Sequence, residues 1–164
     1  SSAVDATSGQ VVKYQGHIAV TYFFSTSGGE TEDVENVFYG STPEPYLRAV
    51  SDPYDGIAPR HSWHFTYTRR QLESKLRGLV KGHFRTIKIV RRGASPRVVS
   101  AQVVGTKGTT TTDGVTLRSR LGLYDTWFTF QVVKKKKAKA SSHRGASDAA
   151  AARVARAIAR AGGA

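Results

Sequence analysis

The sequence predicts an α+β fold: an antiparallel, β-rich domain with two or more short helices, followed by a basic, alanine-rich C-terminal tail. Three observations predict it. Short β-prone runs recur along residues 10–133, separated by turn-forming residues. Two segments carry helix-start signals instead. The composition then changes abruptly at Lys134–Lys137, where a lysine run opens an Ala/Lys/Arg-rich stretch. The 164 residues suit one domain, residues 1–133, and an appendage, residues 134–164.

Each element has its own signal. Gln10–Tyr14 and Ile18–Phe24 flank Gln15-Gly16 and read as a hairpin. The second strand runs into the small-residue loop Ser25-Thr26-Ser27-Gly28-Gly29, then into the acidic stretch Glu30, Glu32, Asp33 and Glu35. Pro43, Pro45, Pro53 and Pro59 punctuate a long irregular region. Such a region is either functional or a surface connection tied down by Tyr46, Leu47 and Tyr54. Ser62–Thr68 alternates, placing Trp63, Phe65 and Tyr67 on one face of a half-buried strand. Thr68 and Gln71 have capping-box spacing, and Leu72, Leu76 and Leu79 follow at helical spacing, so a helix is expected over about 69–78, ending near Gly78. Phe84–Val90 and Val98–Val104 read as strands joined by the turn 91–96. Thr109–Thr112 reads as a short strand, Val115–Leu121 as a short helix, and Trp127–Val133 as the closing strand. In the tail, Ala146–Ala161 places Arg153, Arg156 and Arg160 on one helical face, so the tail is expected to be disordered or transiently helical.

Composition narrows the chemistry. With no cysteine, disulfides and thiolate metal sites are excluded. With no methionine, the chain reads as a segment of a longer protein. No run reaches the roughly 18 apolar residues of a membrane span. The net charge of +13 is uneven: residues 134–164 hold nine Lys/Arg against one Asp, a net +8, and the body carries the remaining +5. A moderately basic body suits an anionic polymer, whether nucleic acid, teichoic acid or the lactyl carboxylates of peptide-free peptidoglycan. The tail reads as a linker or as an electrostatic anchor to such a polymer. A nucleic-acid binder is disfavoured, because the basic residues of the body are scattered and carry no binding motif.

The serine–glycine loop lacks a phosphate-loop lysine, but its glycines allow close backbone approach and its hydroxyls suit sugar hydroxyls. The acidic cluster could offer a general acid for glycoside cleavage, though a solvated loop is the better reading. His61 and His64 flank Trp63 without a second ligand at recognisable spacing, which argues against zinc. Trp63, Tyr46, Tyr54 and Trp127 could stack on sugar rings; burial is the better expectation for the two tryptophans.

Three segments taken together carry a family pattern: Tyr22 to Glu32 around the Ser-Gly-Gly-x-Thr corner; Pro45 to Val50 with Asp52-Pro53-Tyr54-Asp55 and Trp63; and Leu117-Arg118-Ser119-Arg120-Leu121-Gly122-Leu123 ending in Thr126-Trp127-Phe128. In this order they resemble the stage II sporulation protein D family, which includes the amidase enhancers, over about residues 4–131. The ending is similar to actinobacterial members. The resemblance implies a wall-facing, extracytoplasmic protein that acts on peptidoglycan glycan strands, and a wall amidase as a partner. Family enzymes are lytic transglycosylases: a glutamate protonates the glycosidic oxygen and the muramic acid C6 hydroxyl closes a 1,6-anhydro ring. That glutamate belongs upstream of Ser1, so no residue here is assigned as catalytic, and this chain alone is expected to be inactive. Relatives that bind metal carry His and Cys around the corner; Ser25 and Ser27 stand here, so neither metal nor cofactor is expected. What carries over is the glycan-groove wall: Ser25, Thr26, Ser27, Gly28, Gly29 and Thr31, with Tyr46.

Overall fold

The computed structural model describes residues 1–38 and 40–133 together with the backbone of 154–160. The element order is α1 (Ser2–Ala6), β1 (Lys13–Tyr14), β2 (His17–Ile18), α2 (Val34–Val37), a single 3-10 turn (Asp55–Ile57), β3 (Ser62–Thr68), α3 (Arg69–Lys75), β4 (Phe84–Arg92), β5 (Val98–Gly105), β6 (Gly108–Asp113), α4 (Gly114–Leu121), β7 (Thr129–Val133) and β8 (Val154–Arg160). All strand pairs are antiparallel: β1 with β2, β4-β5-β6 in one sheet and β3-β8-β7 in another. The architecture is the α+β one that the sequence predicts.

The core forms where the alternation of β3, β4 and β5 meets the apolar faces of α3 and α4. Leu72 and Leu76 from the α3 segment, Leu117 and Leu121 from α4, Val103 from β5 and Phe128 are at most 1% exposed. Burying each such side chain stabilises the fold by about 1.5–3 kcal/mol. Tyr67 ends the β3 stripe inside this core, and its hydroxyl donates to the Leu121 carbonyl at 2.9 Å. Burial pushes the Tyr67 phenol above its ordinary pKa. This bond ties β3 to the end of α4, next to the cleft described below.

Both main helices are capped, α3 as its sequence indicates. The Thr68 hydroxyl accepts from the Gln71 amide while the Gln71 side chain accepts from the Thr68 amide, a full capping box. Asp113 caps α4 by accepting from the Thr116 amide at 2.6 Å, and α4 ends at Gly122 in the left-handed conformation. The α3 helix is three residues shorter than expected: after Lys75 the chain tightens into turns in which the Leu79 amide donates to Leu76.

Other differences have identifiable causes. The Gln15-Gly16 turn sits where expected, with φ of 49° and 82°, but its strands are two residues each. Val11, Val12, Ile18 and Val20 are all more than half exposed, so among the described residues no apolar surface rewards further pairing. The closing strand begins at Thr129 because Phe128 turns into the core. The helical character expected for Ala146–Ala161 is not what its described part adopts. Residues 154–160 pair as β8 with both β3 and β7, in register from Val154↔Thr68 and Val154↔Val133. Alanine alternates with larger residues from Val154 to Arg160, a period of two that a strand satisfies, and the slot between β3 and β7 offers hydrogen bonds on both edges. Lys134–Lys137, and the rest of the tail outside 154–160, lie outside the described residues.

Candidate glycan cleft

The bend after β2 is held from two sides. Ser27 is buried, at 1% exposure. Its amide donates to Asp55 Oδ1 at 2.5 Å and its hydroxyl to Asp52 Oδ2 at 2.8 Å, while the Gly29 amide donates back to the Ser27 hydroxyl at 3.0 Å. The chain then runs as a ladder against 48–52: Asp52 N to Gly29 O, Thr31 N to Val50 O, Val50 N to the Thr31 hydroxyl, and a bridge between Glu30 and Ser51. The proline-punctuated region is therefore the strap that fixes the bend. Two glycines at positive φ, Gly28 at 79° and Gly29 at 104°, make the corner. A Cβ on Gly28 would lie 2.9 Å from Trp127 Cε3, so only glycine lets the ring lie against the backbone there.

From the opposite side comes Arg97, at the start of β5's approach. Its guanidinium is 11% exposed and donates to Ser27 O at 2.5 Å, Glu30 O at 2.7 Å, Ser95 Oγ at 3.0 Å and both Asp125 oxygens at 3.1 and 3.2 Å. It also lies 5.4 Å from the centre of the Trp127 ring. The five donors of a guanidinium, in their fixed fork, match this set of acceptors; an ammonium could not.

A cleft of about 230 Å³ opens beside the bend, lined by Phe24, Ser25, Thr26, Gly28, Arg60, His61, Trp63, Arg118, Tyr124, Asp125 and Trp127. The aromatic walls are fixed by edge-to-face contacts: Trp63 to Tyr124 at 5.8 Å and Phe65 to Tyr124 at 5.3 Å. Arg60 lies 4.4 Å above the Tyr124 ring. Among the described residues neither Arg60 nor Arg118 makes an ion pair, whereas Asp125 is already matched to Arg97. At the cleft wall, His61 Nδ1 sits 2.7 Å from Asp55 Oδ2. Burial alone would raise the Asp55 carboxyl, but the His61 hydrogen bond and that of the Ser27 amide outweigh it and hold the group below its ordinary value.

The residues expected to form the groove divide into three groups. Ser25, Thr26 and Gly28 line the cleft. Ser27, Gly29 and Thr31 lie behind it as the bonded frame of the bend. Tyr46 is elsewhere, half-buried with its ring 5.0 Å from Tyr14, and Tyr54 is 82% exposed. Trp63 and Trp127, expected to be core, are half-buried cleft walls. The acidic cluster is structural. Glu32 accepts from the Ala94 amide and the Ser95 hydroxyl, Asp33 from the Ala49 amide, and Glu35 takes Arg48 in a two-pronged pair at 2.7 and 2.8 Å that lowers its carboxyl pKa. Among the described residues no group of three His, Cys, Asp or Glu side chains converges on a metal-sized position. Sequence reasoning passed over Arg60, Arg97, Tyr124 and Asp125; it met His61 only as a candidate zinc ligand and Arg118 only within the family pattern. Asp52 and Asp55 were visible only as part of the family pattern.

The cleft lies where the three pattern segments converge, and the chain is similar to known proteins. The chain is 31% identical over 123 residues to Stage II sporulation protein D of Bacillus subtilis (strain 168), a match over 75% of this chain. The chain is a homologue of the stage II sporulation protein D and amidase enhancer proteins. The protein of the same name from Bacillus amyloliquefaciens is 30% identical over 123 residues, and the Amidase enhancer of B. subtilis is 36% identical over 81 residues, 49% of this chain. The chain spans 34% of the length of each sporulation protein and 11% of the amidase enhancer. No protein-family model matches it. No helix among the described residues is long and apolar enough to cross a membrane.

Proposed function

We propose that this chain is a peptidoglycan-binding part of an extracytoplasmic, wall-associated protein, and that its cleft holds a glycan strand. The observation that carries this is the composition of the cleft beside the bend. Sugar rings need flat apolar faces, which Trp63, Tyr124 and Trp127 supply, and partners for their hydroxyls, which Ser25 and Thr26 supply. A peptide-free strand also carries a lactyl carboxylate on each muramic acid. Arg60 and Arg118, with no ion pair among the described residues, are the groups to receive them. The names of the two kinds of relative add support, since one takes part in sporulation and the other enhances an amidase. The parent protein is then a lytic transglycosylase or an amidase enhancer, with a wall amidase as a partner in the second case. Glu32, Asp33 and Glu35 are bound up in structural hydrogen bonds or pairs, so none of the three is proposed as the proton donor for cleavage.

Cosedimentation with purified sacculi, stripped of stem peptides and of teichoic acid, tests the reading. The 164-residue chain is expected to pellet with them and to release no anhydro-sugar. Arg60→Ala with Arg118→Ala should weaken binding by about tenfold or more, as expected for two charge-assisted contacts. Binding indifferent to these changes, and to Trp63→Ala, would refute the cleft as the site. The lysine run favours a second reading, in which the tail anchors to teichoic acid. Because β8 is part of the β3-β8-β7 sheet, the test is Lys134–Lys137 changed to glutamine rather than a truncation. Loss of binding confined to sacculi that retain teichoic acid would support the tail.

A further inference from the structure

The Asp55–His61 pair has a second feature besides the bond by which Asp55 holds the bend. Asp55 is 6% exposed and spends its two oxygens separately: Oδ1 accepts from the Ser27 amide and Oδ2 faces His61 Nδ1. A carboxylate ionised at neutral pH can only accept, so the hydrogen between Oδ2 and Nδ1 belongs to the imidazole. In the neutral ring this leaves Nε2 with a bare lone pair. Nε2 has no hydrogen-bond partner among the described residues, and the side chain, 29% exposed, is part of the cleft wall. The other polar groups offered by the wall are mainly donors or ambivalent: the guanidiniums of Arg60 and Arg118 and the hydroxyls of Ser25 and Thr26. The Asp125 carboxylate is taken by Arg97 and by the Trp127 amide.

We propose that His61 is the cleft's hydrogen-bond acceptor for a sugar hydroxyl, and that Asp55 is a positioning residue that fixes the tautomer making it one. This rests on the glycan reading above and deepens it. A hydroxyl whose oxygen lone pairs are drawn to the guanidiniums still has its hydrogen to place, and His61 Nε2 receives it. The arrangement selects for ligands that combine an acceptor oxygen with an O–H, as a sugar does, over a bare anion such as sulfate.

The test reads the tautomer directly. Two-bond ¹H–¹⁵N spectra of the ring at pH 8 should show the proton on Nδ1, the opposite of the tautomer preferred by free histidine. Titration with tetra-N-acetylchitotetraose, a neutral probe, should shift the Ser25 and Thr26 amides and the Trp63 and Trp127 indoles, which report occupancy. It should also move Nε2 toward a hydrogen-bonded resonance. Asp55→Asn keeps both hydrogen bonds if its carbonyl takes the Ser27 amide and its NH₂ donates to Nδ1; the proton is then forced onto Nε2, and affinity should fall about five- to tenfold. His61→Asn retains a donor for Asp55 without an Nε2 and should lose as much, while His61→Gln, which places its amide nearer the Nε2 position, should lose less. A wild-type ring protonated on Nε2 overturns the proposal. So does an Nε2 that stays still while the amides and indoles move, and that result leaves the glycan cleft standing. Probe that disturbs none of these signals, with peptide-free strands failing as well, overturns both. The wild-type spectra decide the matter even if a variant does not fold.

Discussion

Replacing Arg97 with methionine tests whether the cleft is held by one buried cation. Methionine preserves the aliphatic stem and deletes only the guanidinium. The structure then loses two hydrogen bonds to backbone carbonyls, Ser27 O and Glu30 O, one to Ser95 Oγ and two to Asp125. The two sides of the ion pair are not equally vulnerable. Asp125 is 32% exposed and keeps the Trp127 amide at 3.0 Å, so water can take over part of its solvation. The Ser27 carbonyl belongs to a residue 1% exposed and has no such recourse. Breaking a buried pair by deleting one partner costs about 3–5 kcal/mol, and partial solvation of Asp125 places this case toward the lower end, about 3 kcal/mol. At roughly 3–4 °C per kcal/mol for a chain of this size, the thermal midpoint should fall by about 10 °C. Asp125→Asn should cost less, about 1–2 kcal/mol, because Arg97 retains its carbonyl acceptors. Arg97→Lys should fall between, since an ammonium cannot span the fork. Differential scanning calorimetry with urea titration measures all three. If Arg97→Met melted within 2 °C of the parent chain, or Asp125→Asn proved the more damaging, the claim that the guanidinium organises the bend would fail.

Other perturbations separate the remaining contributions. Gly28→Ala should cost about 2–4 kcal/mol by urea titration and alter Trp127 fluorescence. It incurs both the positive-φ penalty and a clash with the ring, whereas Gly29→Ala, with open space around its Cβ, should cost only about 1–2. Asp55 has a folded pKa below its ordinary 3.8, so the stability it adds is complete above that value and is lost as pH falls through the folded pKa. The gap in stability between the parent chain and Asp55→Asn should therefore hold steady near neutral pH and close below about pH 4. Thr68→Ala removes the α3 cap and should cost about 1 kcal/mol while leaving sacculus binding unchanged.

The legibility of the sequence followed the range of the forces involved. Ser62–Thr68 and the Thr68 capping box could be read because each is set by residues close together in the chain. Local pattern also located the bend, and so reached Ser25, Thr26 and Gly28. It could not reach the cleft's other wall. Arg97 meets Ser27 across 70 positions and Ser27 meets Asp55 across 28, and neither separation has a periodic signature. His61 was weighed as a zinc ligand and set aside for want of a second ligand at recognisable spacing; the carboxylate it pairs with lies six residues back in the 3-10 turn, with no pattern to mark it. Strand β8 was obscured for a different reason. Its alanines favour a helix locally, and only the two edges of β3 and β7 make the extended conformation worthwhile.

The cleft wall is built from a segment, residues 19–33, that has no regular strand or helix, yet binding requires it to keep one shape. Backbone pairing with 48–52 holds only residues 29–31 of it, so the rest of the rigidity comes from side chains, and two of them cross in opposite directions. Glu32 reaches from the bend segment into the β4–β5 turn, where it accepts from the Ala94 amide and the Ser95 hydroxyl. Arg97 reaches from that turn back into the bend, where it donates to the Ser27 and Glu30 carbonyls. Ser95 is shared by both, donating to Glu32 and accepting from Arg97, so the carboxylate and the guanidinium are coupled through one hydroxyl. The turn is carried by the long antiparallel β4–β5 pair, and this reciprocal clasp ties the irregular segment to it. Charge is therefore spent on two tasks with different partners. The guanidinium that shapes the site is buried and saturated, while those left to meet a ligand, Arg60 and Arg118, stand on the surface without a carboxylate partner among the described residues.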